Sequence, residues 1–130
     1  MRTSEIFNNK TVLSLEIFPP QRTASIGIIY NTLDELQGLN PDFISVTYGA
    51  GGSEANNATL EIASAIKNNY GIGSVAHLPC INLSKDEVLN MLEGLKKAGV
   101  ENILALRGDV NPALVPKQDF RYASDLVSFI

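Results

Sequence analysis

Four short runs rich in β-branched and apolar residues recur along the chain, at 12–18, 43–48, 73–78 and 102–106. A polar or ionisable residue stands at or near the end of each: Glu16, Thr47, His77 and Arg107, separated by 31, 30 and 30 positions. A fixed period of this size is the mark of one repeated supersecondary unit, here strand, loop, helix, loop. None of the four runs alternates cleanly, which is how strands buried on both faces of a parallel sheet read. Helical patterns lie between them. Ile26, Ile29, Tyr30, Leu33 and Leu36 follow the i, i+3, i+4, i+7 rule, as do Ala58, Ile62, Ala65 and Ile66. Ser84-Lys85-Asp86-Glu87 reads as a capping box opening a helix whose stripe is Val88, Met91, Leu92 and Leu95, with Gly99 placed for a left-handed C-terminal cap. A fourth helix is expected to start near Ser124 and to be still running at Ile130.

Strand-then-helix repeats give a parallel sheet, and functional side chains at the C-terminal strand ends are the habit of eight-unit βα barrels. Such barrels take about 250 residues, or about 31 per unit. The 130 residues therefore supply four units, one α/β domain over 1–130 with no second domain, and half of a TIM barrel. The expected strand order is 1-2-3-4 with helices on one face. An open doubly wound sheet, which reverses direction once and carries helices on both faces, is the rival. In the half barrel, strands 1 and 4 would be edges and the inner face, with residues such as Val46 and Val75, would lack its covering. Self-association, or pairing with a missing C-terminal half, is the corresponding expectation.

Apolar residues make up 45% of the chain and charged ones only 18%, enough for one core and too little charge for disorder. The net charge of −4 excludes the basic face that non-specific nucleic-acid binding needs. Residues 1–65 carry 3 basic and 7 acidic side chains, and residues 66–130 carry 7 of each, so an anion site belongs in the second half. With one cysteine (Cys80) and one histidine (His77), no internal disulfide and no His/Cys zinc pattern can form. A reducing cytoplasm fits this usage. No run has the length of a signal-peptide core or a membrane span.

Glu16 lies within Leu15-Glu16-Ile17-Phe18-Pro19-Pro20, the most apolar neighbourhood of the chain. Burial there would favour the protonated form, an acid able to donate near neutral pH. The competing reading is a strand-end carboxylate that reaches solvent or pairs with Arg107. His77 is either a hydrogen-bonded core residue or a cofactor contact. Cys80 reads as packing. Tyr48-Gly49-Ala50-Gly51-Gly52-Ser53 allows close backbone approach to a ligand, but it is neither a dinucleotide fingerprint nor a P-loop. Arg107-Gly108-Asp109 combines a guanidinium for phosphate, a small residue and a carboxylate at one strand end; a plain surface Arg/Asp pair is the alternative.

Taken together, Leu15–Pro20, Phe43–Ser53, Ala76-His77-Leu78, Leu106–Asp109 and Tyr122–Val127 resemble the methylenetetrahydrofolate reductase family in order and spacing, over the N-terminal half of its catalytic barrel. The resemblance implies an FAD-containing oxidoreductase that uses NADH or NADPH to reduce methylenetetrahydrofolate to methyltetrahydrofolate for methionine synthesis, here as a truncated or split chain. It implies that Glu16 is the general acid that opens the folate ring, and that Asp109 lies beside flavin and pterin, with both contacting substrate. Thr47, Tyr48, Ala50, His77, Arg107, Gly108, Asp109, Tyr122, Ala123 and Ser124 would line the FAD site. Two positions depart from the family: Glu54-Ala55 replaces Thr-Arg, and Pro79 replaces a threonine, removing a hydroxyl and a backbone N–H next to His77. A half barrel that binds FAD or another phosphate-containing ligand without turnover is the alternative function.

Overall fold

The computed structural model describes residues 2–8, 10–20, 25–48, 53–110, 112, 115 and 117–130, the side chains of 53–57 excepted. Its elements are α1 (Thr3–Ile6), β1 (Ser14–Ile17), α2 (Gly27–Leu36), β2 (Phe43–Val46), α3 (Ser53–Asn68), β3 (Gly73–Pro79), α4 (Lys85–Lys97), β4 (Asn102–Leu106) and α5 (Ala123–Phe129). The four strands form one parallel sheet in the order β1-β2-β3-β4. Uniform stepping with a helix between successive strands is the half-barrel arrangement, and the reversal required by a doubly wound sheet is absent among the described residues.

Local chemistry sets the element ends. At α4, the Ser84 hydroxyl accepts from the Glu87 amide (3.3 Å) and the Glu87 carboxylate accepts from the Ser84 amide (2.7 Å), which is the reciprocal cap its sequence announces. Asp86 and Glu87 occupy its first turn and Lys96 and Lys97 its last, matching the helix dipole. Gly99 follows at φ 73°, where a side chain would be strained. Helix α5 begins at Ala123, and the Asp125 carboxylate accepts from the Arg121 and Tyr122 amides (both 2.8 Å).

Side-chain alternation along the strands divides the sheet into two faces. Ile17, Ile44, Val46 and Ala76 point toward the helices and pack with Ile29, Leu33, Ile62, Ile66 and Leu95. Further along the sheet, Leu78 and Cys80 pack with Leu83, Val88, Met91, Phe120 and Leu126. Each fully buried Leu or Ile here contributes roughly 1.5–3 kcal/mol. Both clusters lie on one face, so α2, α3, α4 and α5 cover one side only. Val46, expected on the inner face with Val75, is corrected by this division: it pairs with Ala76, and both belong to the helix-side core.

The opposite face carries Glu16, Ser45, Thr47, Val75, His77 and Leu104, the last 43% exposed. At its N-terminal end, α1 is tied down by the Thr3 amide, which donates to Asn102 Oδ1 (2.9 Å), and by an edge-to-face contact between Phe7 and Phe43. Asn102 in turn donates to the Ser74 carbonyl (3.1 Å). Neither α1 nor the 3-10 turn at Gln37–Leu39 announces itself in the sequence pattern.

Candidate functional site

The pairing register does not follow the period of the strand-end residues. Glu16 pairs with Ser45, Val46 with Ala76, and His77 with Leu104. Thr47 and His77 therefore sit side by side at their strand ends, Glu16 lies one inward-facing position below them, and Arg107 lies beyond the end of β4. Two groups result: one on the open face of the sheet and one on its rim.

The open-face group is Glu16, Ser45, Thr47 and His77. The Ser45 hydroxyl lies 3.4 Å from Glu16 Oε2, and His77 Nε2 lies 3.7 Å from the same oxygen. The apolar burial expected for Glu16 is not found, since its side chain is 45% exposed. The cause is alternation: Leu15 and Ile17 turn into the helix-side core, and Glu16 is delivered to the open face. Its neighbour is His77 and not Arg107.

His77 has the opposite character. Its side chain is 9% exposed, and Nε2 has no hydrogen-bond partner among the described residues. Burial holds the imidazole below its ordinary pKa of 6.5, against the upward pull of the Glu16 carboxylate, so the ring is neutral at pH 7. A gap of 3.7 Å is too long for a direct hydrogen bond. The pair thus presents one buried, unsatisfied nitrogen and one exposed carboxylate to the same space, an arrangement that suits a polar ligand atom. Thr47 is held by its amide, which donates to the Ile17 carbonyl (3.0 Å), and by Thr59, whose hydroxyl donates to the Thr47 carbonyl (3.0 Å). Tyr48 turns the other way and packs against the Leu78–Cys80 cluster, where burial, with the Glu87 charge, pushes its phenol up to about 12.

The rim group forms around Cys80. Its thiol is fully buried and lies 3.5 Å from the Tyr122 carbonyl and 3.8 Å from that of Arg107, while the Cys80 and Ile81 amides donate to Arg107 (3.2 and 2.9 Å). Burial raises the thiol pKa, in keeping with a packing role. Segments 107–109 and 122–124, distant in sequence, are thereby brought to one end of the sheet. Gly108 has φ 80°, and a Cβ there would stand 2.8 Å from the Pro79 Cβ, so the close approach that glycine allows is to the chain's own Pro79. Pro79 costs no ladder bond. The Cys80 amide points to β4, so the nitrogen of Pro79 faces the β2 side, where pairing has ended at Val46–Ala76. Asp109 is exposed, and its carbonyl accepts from Asn82 Nδ2 (3.1 Å). No ion pair joins Arg107 to Asp109 among the described residues.

Ala50 and the rest of the glycine-rich run 49–52 lie outside the described residues. Two neighbours of the expected site escaped sequence reasoning. Ser45 is signalled by alternation, two positions before Thr47 on the same strand. Asn82 follows β3 with no pattern to mark it. No cluster of potential metal ligands occurs among the described residues, nor does any helix long and apolar enough to cross a membrane.

A sequence model of the methylenetetrahydrofolate reductase family matches residues 2–130. The chain is 36% identical over 118 residues to the 5,10-methylenetetrahydrofolate reductase of Escherichia coli (strain K12), covering 91% of this chain and 39% of that protein. It is 36% identical over 102 residues to methylenetetrahydrofolate reductase (NADH) 1 of Zea mays, covering 78% of this chain and 17% of that one. With methylenetetrahydrofolate reductase 1 of Schizosaccharomyces pombe the identity is 34% over 134 residues, covering 95% of this chain and 21% of the relative. With residues of all four βα units inside the match, the chain belongs to the methylenetetrahydrofolate reductase family.

Proposed function

We propose that this chain supplies the N-terminal half of the barrel of an FAD-dependent methylenetetrahydrofolate reductase, with NADH or NADPH as reductant and methyltetrahydrofolate, for methionine synthesis, as product. The observation that carries this reading is the pairing of an exposed Glu16 carboxylate with a buried, unpartnered His77 Nε2 on the open face of a sheet of this family. These residues fit a flavin: an unsatisfied buried nitrogen asks for a ligand hydrogen bond, and the rim offers the exposed cation of Arg107. Bound FAD would supply hydride transfer, which no side chain can.

The chain's own residues then divide the work. His77 and Thr47 would hold the ring system, and Arg107 would pair with the anionic part of the cofactor. Gly108, Asp109 and the segment Tyr122-Ala123-Ser124 complete the rim. Glu16, covered once flavin and folate close over the open face and so held protonated, would donate the proton that opens the folate's five-membered ring, leaving Asp109 to hold substrate beside the flavin. Edges β1 and β4 are where the remaining strands of a barrel, or a second copy, would pair.

The test is a visible absorbance spectrum of the purified protein, with its intact mass, before and after anaerobic addition of NADH. A yellow protein whose flavin bands bleach is the expected result. A colourless protein that takes up no added FAD overturns the reading.

A further inference from the structure

The connection from β4 to α5 covers 107–122, a length usually reserved for functional loops, and its described residues form no regular element. Its last part is nevertheless fastened at several points. Lys117 Nζ lies 2.7 Å from both carboxylate oxygens of Glu87, in the first turn of α4. The Asp119 carboxylate accepts from the Lys85 amide (2.9 Å), one of the free N–H groups that open the same helix. Phe120 is 2% exposed and meets Phe129 edge to face at 5.3 Å. The Tyr122 carbonyl lies over the Cys80 thiol.

We propose that Lys117 and Asp119 are positioning residues. They strap the loop to the start of α4, so that Tyr122, Ala123 and Ser124 are already in place at the sheet's C-terminal end before a ligand arrives. This rests on the FAD reading above. The contacts favour it because the side-chain fastenings lie on Lys117, Asp119 and Phe120, all outside 122–124. Tyr122 itself is 56% exposed and Ser124 is exposed, so the segment is held through its neighbours and its backbone while its side chains stay free. Fixing a segment in its bound shape lowers the ordering cost that binding would otherwise carry.

The experiment uses the intact flavoprotein containing this chain, with Lys117→Met, Asp119→Asn and the conservative Lys117→Arg. FAD affinity of the apoprotein is read by flavin fluorescence, and protection of the 121–126 amides by hydrogen exchange. Lys117→Met is expected to weaken FAD binding about two- to five-fold, the range of one partly exposed ion pair. It should also speed exchange at 121–126 while the thermal midpoint and exchange in β1–β3 hold, and Lys117→Arg should restore both readouts. Unchanged affinity and unchanged protection in both Lys117→Met and Asp119→Asn overturn the strap, as does a loss of protection spread evenly over the sheet. If the unaltered protein binds no FAD, the cofactor reading fails, and the exchange data still decide whether the strap exists.

Discussion

Gly108 joins the two candidate chemical residues of the rim, and replacing it with alanine is the sharpest probe of that geometry. Two costs act at once. The backbone there has φ 80°, and placing a side chain in left-handed backbone costs roughly 1–2 kcal/mol. The new methyl group would also meet the Pro79 Cβ at 2.8 Å, closer than carbon atoms tolerate, and overpacking of this kind costs roughly 1–3 kcal/mol. Alanine stiffens the unfolded chain, which returns about 0.4–1 kcal/mol. The net expectation is a loss of about 1–4 kcal/mol. Gly99 supplies the control, because its φ is 73° but nothing lies within 4 Å of its would-be Cβ. Gly99→Ala should therefore lose only the strain, about 1 kcal/mol. Urea unfolding of both variants, with Pro79→Gly and the double variant Pro79→Gly/Gly108→Ala, separates the terms. The double variant should cost less than the sum of its parts by about 1–3 kcal/mol, because the atom that clashes has been removed. Equal losses at Gly108 and Gly99, with additivity within about 0.5 kcal/mol at the Pro79 pair, would refute the reasoning.

Three other expectations follow from the two faces of the sheet. Ile44, fully buried on the helix side, should lose about 2–5 kcal/mol as Ile44→Ala in urea unfolding, whereas the 43% exposed Leu104 should lose under about 1 kcal/mol as Leu104→Ala; the reverse order would place the core on the wrong face. His77 resists protonation in the folded chain, so as pH falls through 6.5 the unfolded chain gains a proton the folded one refuses: stability should decline there, rise again above it, and lose part of that slope in His77→Gln, while an unchanged slope contradicts the buried neutral ring. Cys80, buried with a raised pKa, should react with an aromatic disulfide reagent only when denaturant opens the chain, and immediate reaction of the native protein contradicts its place in the core.

The repeat was legible because each βα unit must bury one helix stripe against one strand, and the four apolar runs with the stripes Ile29–Leu33 and Val88–Met91–Leu95 announce that demand directly. Residues 84–87 and Gly99 announce the bounds of α4 because capping is local chemistry. What sequence spacing does not contain is register. The partners Ser14–Phe43, Phe43–Gly73 and Val75–Asn102 are 29, 30 and 27 positions apart, so equal spacing of Glu16, Thr47, His77 and Arg107 does not put them in one row. Facing is the other gap. An apolar neighbourhood in sequence made Glu16 read as buried, yet Leu15 and Ile17 point away from it, because adjacent strand residues occupy opposite faces. Long-range fastenings such as Lys117 to Glu87 carry no local signal at all.

Glu16 is proposed above as an acid for the folate and not a structural carboxylate. Rapid-mixing kinetics of the two half-reactions, in a complete barrel containing this chain with Glu16→Gln, tests it most directly. Gln keeps the shape of the side chain and removes its transferable proton. Reduction of methylenetetrahydrofolate by the reduced flavin should fall by about 10² to 10⁴, the usual contribution of general acid catalysis. Reduction of the flavin by NADH needs no proton from this residue and should change far less. Equal loss in both half-reactions would contradict the account and return Glu16 to a structural role beside Ser45 and His77.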